Sequence, residues 1–466
     1  MKERALSLDA LRGYAIITMV LSATIAMGIL PAWMYHAQVP PPDHVFNPNI
    51  PGLTWVDLVF PTFLFAMGAA FPFSIGKKFA KGVSKLKLSL NALWRGVLLT
   101  YFAIFIQHFY PYMTGDPQDM RSWLLAILCF AMLFPIYMRM PFKMPTWAHW
   151  VIQIGSMIIG AIIMLTIKYP HGDVFDMHTS NIIILILANM AVFASLLYIF
   201  TINKPKLRIA ILMMLFALML SASVEGSWSA KLAAYSPLTW FFHFNYLKYL
   251  FIVIPGSFAG EILAKWMEGR AGNKQTLTGR RTAWLMIIIT LSLVIINLYC
   301  LYMRLTVLNM MLTLALIAVG FSILYRQKDF GDLWRRLFVL GSFILTLGLL
   351  MEPFEGGIKK DPVTLSYLFT TAGLSFMTLI FFSAICDYFK CHKATSFLVM
   401  SGQNPMVAYV AGDLLIIPLL QICGVWAYMG IFYSSQLTGF LQGVLLTSLA
   451  VLVTMFFTKI KWLWRT

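Results

Sequence analysis

The chain has 466 residues, of which 60% are apolar and only 11% are charged, and its mean hydropathy is +0.79. Soluble domains carry roughly 25% charged residues, so this composition excludes an ordinary water-exposed surface. Apolar runs of about twenty residues, the length that crosses a bilayer, recur along the whole chain. They do not alternate as barrel strands do, so the sequence predicts an all-α polytopic membrane protein whose surroundings are a lipid bilayer.

About fourteen transmembrane helices are expected, within a range of 12–14, in one transmembrane domain covering residues 1–466. The predicted spans are 14–31, 53–75, 96–112, 122–138, 147–167, 181–201, 209–222, 246–264, 282–302, 306–325, 337–351, 364–386, 397–420 and 438–458. Both termini are expected on the cytoplasmic side. The polar loop 266–281 is the best candidate for a cytoplasmic linker between two halves, 1–265 and 282–466.

The net charge of +17 is explained by topology. With both termini inside, only seven of the 35 lysines and arginines lie outside: Arg121, Lys168, Lys231, Lys248, Arg304, Lys359 and Lys360. Positive residues concentrate on the cytoplasmic side of membrane proteins. This rule explains the net positive charge, so the sequence predicts no nucleic-acid partner. It favours an inner-membrane location in a bacterium. No HExxH or paired-cysteine spacing predicts a metal site.

The first outer loop is the most distinctive segment. Its prolines, Pro40–Pro42, stiffen the chain, so His36 and His44 can be held in place, although a solvated loop histidine is the simpler alternative. Histidine exchanges protons near neutral pH and suits a general base or an acyl acceptor. Thr54 and Asp57 have the spacing of a capping box that begins the second span, where the helix dipole favours a carboxylate.

The inner side offers charged side chains of two kinds. Asp9 and Arg12 are three residues apart, so they share one helical face and can form an ion pair. The loop after the second span is rich in cations: Lys77, Lys78, Lys81, Lys85, Lys87 and Arg95. These cations suit a phosphate ligand, and attraction to anionic inner-leaflet lipids explains them equally well.

Six segments carry a resemblance to one known family. They are RALSLDALRG (4–13), GLTWVDLVFP (52–61) with FLFAMG (63–68), WR (94–95), GSFAGEIL (256–263), LSYLFTT (365–371) and NPMVAYV (404–410). In this order they resemble the motifs of the heparan-alpha-glucosaminide N-acetyltransferase family. The first two are fairly specific, and the others are weak when taken singly.

The resemblance implies an acyltransferase that moves the acetyl group of cytoplasmic acetyl-CoA, its co-substrate, to an amino sugar or glycan outside. The family's active histidine lies in the first outer loop, shortly before the GLT motif. His44 matches it best and His36 is the alternative, with Asp57 orienting or charging the imidazole. No metal is expected, and a homodimer stays open.

Further site residues are expected on both sides of the membrane. Arg121, Lys248 and Asn404 are the candidates for binding the acceptor or placing a polar group near the acetyl. The phosphates of acetyl-CoA require inner cations, for which the candidates are Arg12, Lys77, Lys78 and Arg95.

The sequence also departs from the family pattern. Ala23 stands where the family has asparagine, with Ser22 and Thr24 as neighbouring substitutes, and a family arginine motif loses its end at Ile127-Leu128. These changes leave the acceptor open. The alternative from another class is a secondary transporter of sugars or glycan fragments, which also uses many spans with proline and glycine breaks.

Overall fold

The computed structural model describes residues 5–138, 144–269 and 278–465, and the regular elements within these ranges are helices. Thirteen of the described helices are long and apolar enough to cross a membrane. A helix satisfies its own backbone hydrogen bonds, which is what a segment in lipid requires. The prediction of an all-α polytopic membrane protein is therefore confirmed.

Each predicted span corresponds to a described helix, and we number these helices α1 to α14. Their bounds are α1 Leu6–Thr24, α2 Trp55–Ala69, α3 Lys85–Phe109, α4 Met120–Tyr137, α5 Thr146–Thr166, α6 Ile182–Phe200, α7 Pro205–Ser221, α8 Leu250–Gly269, α9 Arg280–Tyr302, α10 Thr306–Leu324, α11 Phe330–Met351, α12 Leu365–Phe382, α13 Pro405–Ala411 and α14 Gln436–Lys459. A π-helix, Pro72–Gly76, and a short helix, Lys77–Ala80, extend α2, while Gly412–Ile416 and Ile417–Ile422 extend α13 in the same way. A shorter helix, His392–Gln403, precedes α13.

Helix α7 has 17 residues, slightly fewer than the thirteen longer helices. Its first turn is fixed at the inner end of the bundle, where Arg208 bonds to Thr201 after α6 and pairs with Glu261 of α8. The segment that follows α7 reaches the opposite end of α6, because Thr239 bonds to His178 in the loop before α6. Helix α7 therefore begins beside one end of α6, and the chain that follows α7 contacts the loop at the other end of α6.

Several helix boundaries differ from the sequence predictions, among them the end of α1 at Thr24 rather than residue 31 and the start of α11 at Phe330 rather than residue 337. The first span begins at Leu6 rather than residue 14, and the third begins at Lys85 rather than residue 96. The predicted span 397–420 is divided at Asn404, whose backbone is non-helical (φ −133°, ψ 55°). The early starts carry charged residues into the helices, which is tolerable because several of these residues face an internal cavity and not lipid.

The two ends of the chain pack tightly against each other. Helix α1 crosses the helix His392–Gln403 at glycines: a Cβ on Gly13 would overlap the carbonyl of Leu398, and one on Gly402 would overlap the carbonyl of Asp9. Small residues allow this close approach of helix backbones in a membrane. Half of the predicted linker 266–281, residues 270–277, lies outside the described residues, which resume at Thr278.

Candidate functional site

His36 and Asp57 form a hydrogen-bonded pair at the outer end of the bundle. Nδ1 of His36 lies 2.7 Å from Oδ1 of Asp57. The Asp57 side chain is only 4% exposed, whereas that of His36 is 37% exposed. A buried carboxylate therefore fixes one ring nitrogen, and the other, Nε2, is left as the nitrogen that can take a proton or an acyl group.

The backbone around Thr54 holds the Asp57 carboxylate in place. Its Oδ2 accepts hydrogen bonds from the Thr54 N–H and the Thr54 hydroxyl, each 3.0 Å long, and from the Ala37 N–H at 3.3 Å. The predicted capping box at the start of α2 is confirmed. The Tyr367 hydroxyl of α12 also donates to the Asp57 carbonyl at 2.7 Å. Asp57 is thus a helix cap and the partner of His36 at once.

Lys360 completes this group from the other end of the chain. Its Nζ lies 3.1 Å from Nδ1 and 3.2 Å from Nε2 of His36, and 4.0 Å from Oδ1 of Asp57. Burial lowers the pKa of the Lys360 ammonium, and the carboxylates of Asp57 and Asp361 partly oppose that effect. A carboxylate, an imidazole and an amine therefore meet where the first outer loop approaches the loop between α11 and α12.

Direct hydrogen bonds join these two loops. The Gln38 amide donates to the Asp361 carbonyl, and the Asp361 N–H donates to the Gln38 side-chain oxygen at 2.9 Å. The Gly52 N–H donates to the Ile358 carbonyl at 2.9 Å. The position of Lys360 over His36 is therefore fixed by backbone contacts on both sides of the lysine.

His44 has a different environment. Its Nε2 accepts a hydrogen bond from the Gly28 N–H at 2.9 Å, and its Nδ1 lies 3.3 Å from the Val39 carbonyl. Its ring packs edge-on against Tyr35. Both ring nitrogens thus contact backbone groups of the first outer loop, and of the two predicted histidines it is His36 that meets Asp57.

A cavity of about 670 Å³ lies at the inner end of the bundle. Three of the four residues predicted to bind the phosphates line it, namely Arg12, Lys77 and Arg95, and the described lining does not include Lys78. Arg465 near the carboxyl terminus adds a fourth cation to the wall. Arg12 also donates to the Gly402 carbonyl at 3.3 Å. The arrangement suits a ligand with several negative charges, since guanidinium groups match phosphate oxygens well.

A small apolar chamber of about 30 Å³ adjoins this cavity and shares part of its lining. Phe63, Leu99 and Leu187 line both spaces, and Phe60 and Tyr409 line only the chamber. Helix α2 and its extension thus follow the cavity wall from Lys77 to Phe60, about 25 Å at roughly 1.5 Å per residue. Asp57 is one further turn along the same helix, so the inner cations and the outer histidine lie at the two ends of one wall.

The remaining predicted residues lie elsewhere. Arg121 donates to the Lys168 carbonyl at 3.4 Å at an exposed position beside the α4–α5 hairpin. Lys248 lies within electrostatic reach of Glu355, in the loop that carries Lys360. The side-chain amide of Asn404 is buried and bonds to the backbone near the carboxyl terminus. It donates to the Trp462 carbonyl at 3.0 Å and accepts from the Trp464 N–H at 3.1 Å. Of these three residues, Lys248 is the one whose contacts lead to the loop of Lys360.

Sequence reasoning did not single out Lys360, Tyr367, Gln403 or Arg465. The signal for Lys360 was present, because it is one of the few cations on the outer side of the membrane. Gln403 and Arg465 line the inner cavity, but nothing in their local sequence distinguishes them from other polar residues near a helix end. Their position depends on how the last helices pack against α1.

The helices define a polytopic α-helical membrane protein, with a cationic cavity at one end of the bundle and a histidine–aspartate pair at the other. Residues 4–263 match the family described as a domain of unknown function, DUF5009, and the chain belongs to that family. The match includes His36, Asp57 and three of the inner cations, and it stops before Lys360. A comparison with curated proteins finds no match to the chain.

Proposed function

We propose that this protein is a membrane acetyltransferase that moves acetyl from cytoplasmic acetyl-CoA to the amino group of an amino sugar or glycan outside the membrane. The observation that carries the proposal is the single wall along α2, with cations at its inner end and the His36–Asp57 pair at its outer end. The motif resemblance to heparan-alpha-glucosaminide N-acetyltransferases supports the same reaction. A location in the bacterial cytoplasmic membrane is part of the proposal.

The inner cavity would hold the nucleotide end of acetyl-CoA. Arg12, Lys77, Arg95 and Arg465 supply positive charge for its phosphates, and charge-assisted contacts of this kind are the strong ones. The apolar side chains around Phe63 would contact the extended arm that carries the thioester, and the chamber of about 30 Å³ must widen to admit it. The acetyl group would then be presented toward the outer half of the membrane.

The outer pair supplies the acid–base chemistry. Because Asp57 accepts the proton on Nδ1, Nε2 of His36 carries the lone pair. Nε2 can take the proton of the attacking amine, or it can add to the thioester carbon itself, so that acetylimidazole forms and the CoA thiolate leaves. In the second case the amine attacks the acetylimidazole carbon, the C–Nε2 bond breaks, and the amine proton is released.

The direct test uses the purified full-length protein, radiolabelled acetyl-CoA and a panel of amino sugars. We expect label in the amide product with wild type, and at least a 100-fold lower rate with His36→Gln, since general acid–base contributions are typically about 10²–10⁴-fold. His44→Gln is the matched control in the same loop and should retain most of the rate. Full activity in His36→Gln, or no transfer to any amine by wild type, would contradict the proposal.

One observation favours the transporter alternative. Asp413 lies in the π-helix Gly412–Ile416, which interrupts the α-helical geometry of the membrane-length helix Pro405–Ile422. Among the described residues its carboxylate has no ion-pair partner, and it lies within electrostatic reach of Tyr112 and Tyr409. Carboxylates in broken membrane helices are typical of ion-coupled transport.

Proteoliposomes distinguish the two functions. A transporter would accumulate labelled glucosamine without acetyl-CoA and would lose uptake in Asp413→Asn. An acetyltransferase would instead require acetyl-CoA, and the label would appear as the N-acetyl product.

A further inference from the structure

The Lys360 ammonium lies over the face of the His36 ring. Its Nζ is almost equally far from Nδ1 and Nε2, at 3.1 and 3.2 Å. These two nitrogens flank Cε1, so a lysine in the ring plane at these distances would overlap that carbon. Nζ therefore lies above the plane, in the position of a cation over an aromatic face.

This position leaves both ring nitrogens free to act in the plane of the ring. Nδ1 points its proton at Asp57, and the lone pair of Nε2 is not occupied by an in-line hydrogen bond from Lys360. An acyl carbon that bonds to Nε2 has its other substituents distributed around the new bond, and one of them stands on the ring face that the ammonium covers. A carbonyl oxygen in that place lies within hydrogen-bonding reach of Nζ.

We propose that the Lys360 ammonium is the oxyanion donor of the acetyl-transfer step. As Nε2 of His36 adds to the thioester carbon, the C=O electron pair moves onto oxygen and Lys360 stabilises the resulting negative charge. The intermediate then collapses, the C=O bond forms again, and the C–S bond breaks to release the CoA thiolate. The inference rests on the proposed acetyltransferase function, and it names a catalytic residue outside the segment that matches the family.

Two nearby carboxylates favour the charged form of Lys360. Asp57 lies 4.0 Å from Nζ, and Asp361 follows Lys360 in the same loop and raises its pKa, although burial has the larger, opposite effect. Tyr249, just before α8, lies within electrostatic reach of Asp361, and Tyr367 of α12 and His36 are titratable neighbours on the Asp57 side. A cation held by two carboxylates in a partly dry site is well suited to stabilise developing negative charge.

The test compares Lys360→Met, Lys360→Arg and the neighbouring control Lys359→Met in the full-length protein. Removal of one oxyanion donor costs about 10²–10³-fold in kcat, so we expect that loss in Lys360→Met with little change in KM for acetyl-CoA. Lys359 carries the same charge in the same loop, and Lys359→Met should behave as wild type. Thermal unfolding of each variant identifies any loss of folding.

The pH profile separates catalysis from a structural role. If the ammonium acts, kcat of the wild type falls as pH rises through the pKa of Lys360, below the ordinary lysine value because burial lowers that pKa. Arginine stays charged, so Lys360→Arg should retain part of the activity. The alkaline limb of its profile, the fall in kcat with rising pH, should shift to higher pH. An unchanged limb in Lys360→Arg, or wild-type kcat in Lys360→Met, would overturn the inference.

Two further outcomes have separate meanings. Acetyl recovered by mass spectrometry on Lys360 during turnover, and not on His36 or the acceptor, would show that the lysine is an acyl acceptor and would overturn the oxyanion role. A wild-type protein with no acetyl transfer at all would reject the proposed function itself. Activity in wild type with no effect of Lys360→Met rejects only the inference about Lys360.

Discussion

Replacing Asp57 with asparagine keeps the volume of the side chain and removes its charge. Oδ2 of Asp57 accepts three hydrogen bonds at the start of α2, and Oδ1 faces Nδ1 of His36 at 2.7 Å. The asparagine oxygen can accept bonds from Thr54, which leaves the amide NH₂ directed at His36. Nδ1 must then accept a hydrogen bond instead of donating one, so the proton of the neutral ring sits on Nε2 and the lone pair of Nε2 is lost.

The expected loss follows from this geometry. A hydrogen bond to a charged group contributes about 1.5–3 kcal/mol, and about 1.4 kcal/mol corresponds to a tenfold change in rate. Loss of the charge alone therefore lowers kcat about 10- to 100-fold, and the reversed tautomer of His36 lowers it further. We expect a total loss of at least about 10²-fold, with a smaller change in KM for acetyl-CoA.

The assay is acetyl transfer by purified protein, with Asp43→Asn as the matched control on the exposed part of the same loop. Because Asp57 is argued to act through His36, Asp57→Asn should add little to His36→Gln, as residues of one catalytic unit are strongly non-additive. Wild-type kcat in Asp57→Asn, or fully multiplicative losses in the double variant, would refute the reasoning. Thermal unfolding should report the separate cost to the α2 cap.

Two other changes test the inner cavity and the packing around it. Lys77→Ala should raise KM for acetyl-CoA about three- to fivefold, since a partly exposed charge contributes roughly 0.5–1 kcal/mol. Lys78 lies outside the cavity lining, so Lys78→Ala should leave KM unchanged. Equal effects of the two variants in steady-state kinetics would argue against phosphate binding at Lys77. Gly402→Ala should destabilise the fold by about 1–3 kcal/mol, the usual cost of overpacking, because its Cβ overlaps the Asp9 carbonyl. Gly412→Ala, where an added Cβ meets no atom within 4 Å, should leave the melting temperature almost unchanged, and similar melting temperatures for the two variants would contradict the packing argument.

The resemblance and the local pattern together anticipated part of the site. The proline-rich outer loop, the capping residues Thr54 and Asp57, and three inner cations were all recognisable from spacing and charge. The sequence favoured His44 over His36 as the partner of Asp57, although both lie in one stiff loop and either could approach Asp57, and the structure pairs His36 with it. The structure separates them by the path of the loop, which turns His44 back onto the Gly28 and Val39 backbone.

The extent of the first and third helices was also misjudged. Charged residues near a helix end reduce hydropathy, so Asp9 and Arg12 placed the predicted start of α1 too late. In the structure both side chains line the inner cavity, where water and opposite charges replace lipid. Hydropathy alone cannot distinguish a polar residue at the membrane surface from one that faces an internal cavity.

The sequence by itself determined the class, an all-α polytopic membrane protein, because the length of an apolar run depends on the bilayer and not on neighbouring helices. Only the tertiary structure decided that Lys360 reaches His36, more than three hundred residues away in the chain. That contact depends on two loops that exchange hydrogen bonds through Gln38 and Asp361. Such pairing leaves no local periodicity in either segment, so it becomes visible only when the helices that carry the loops are packed together.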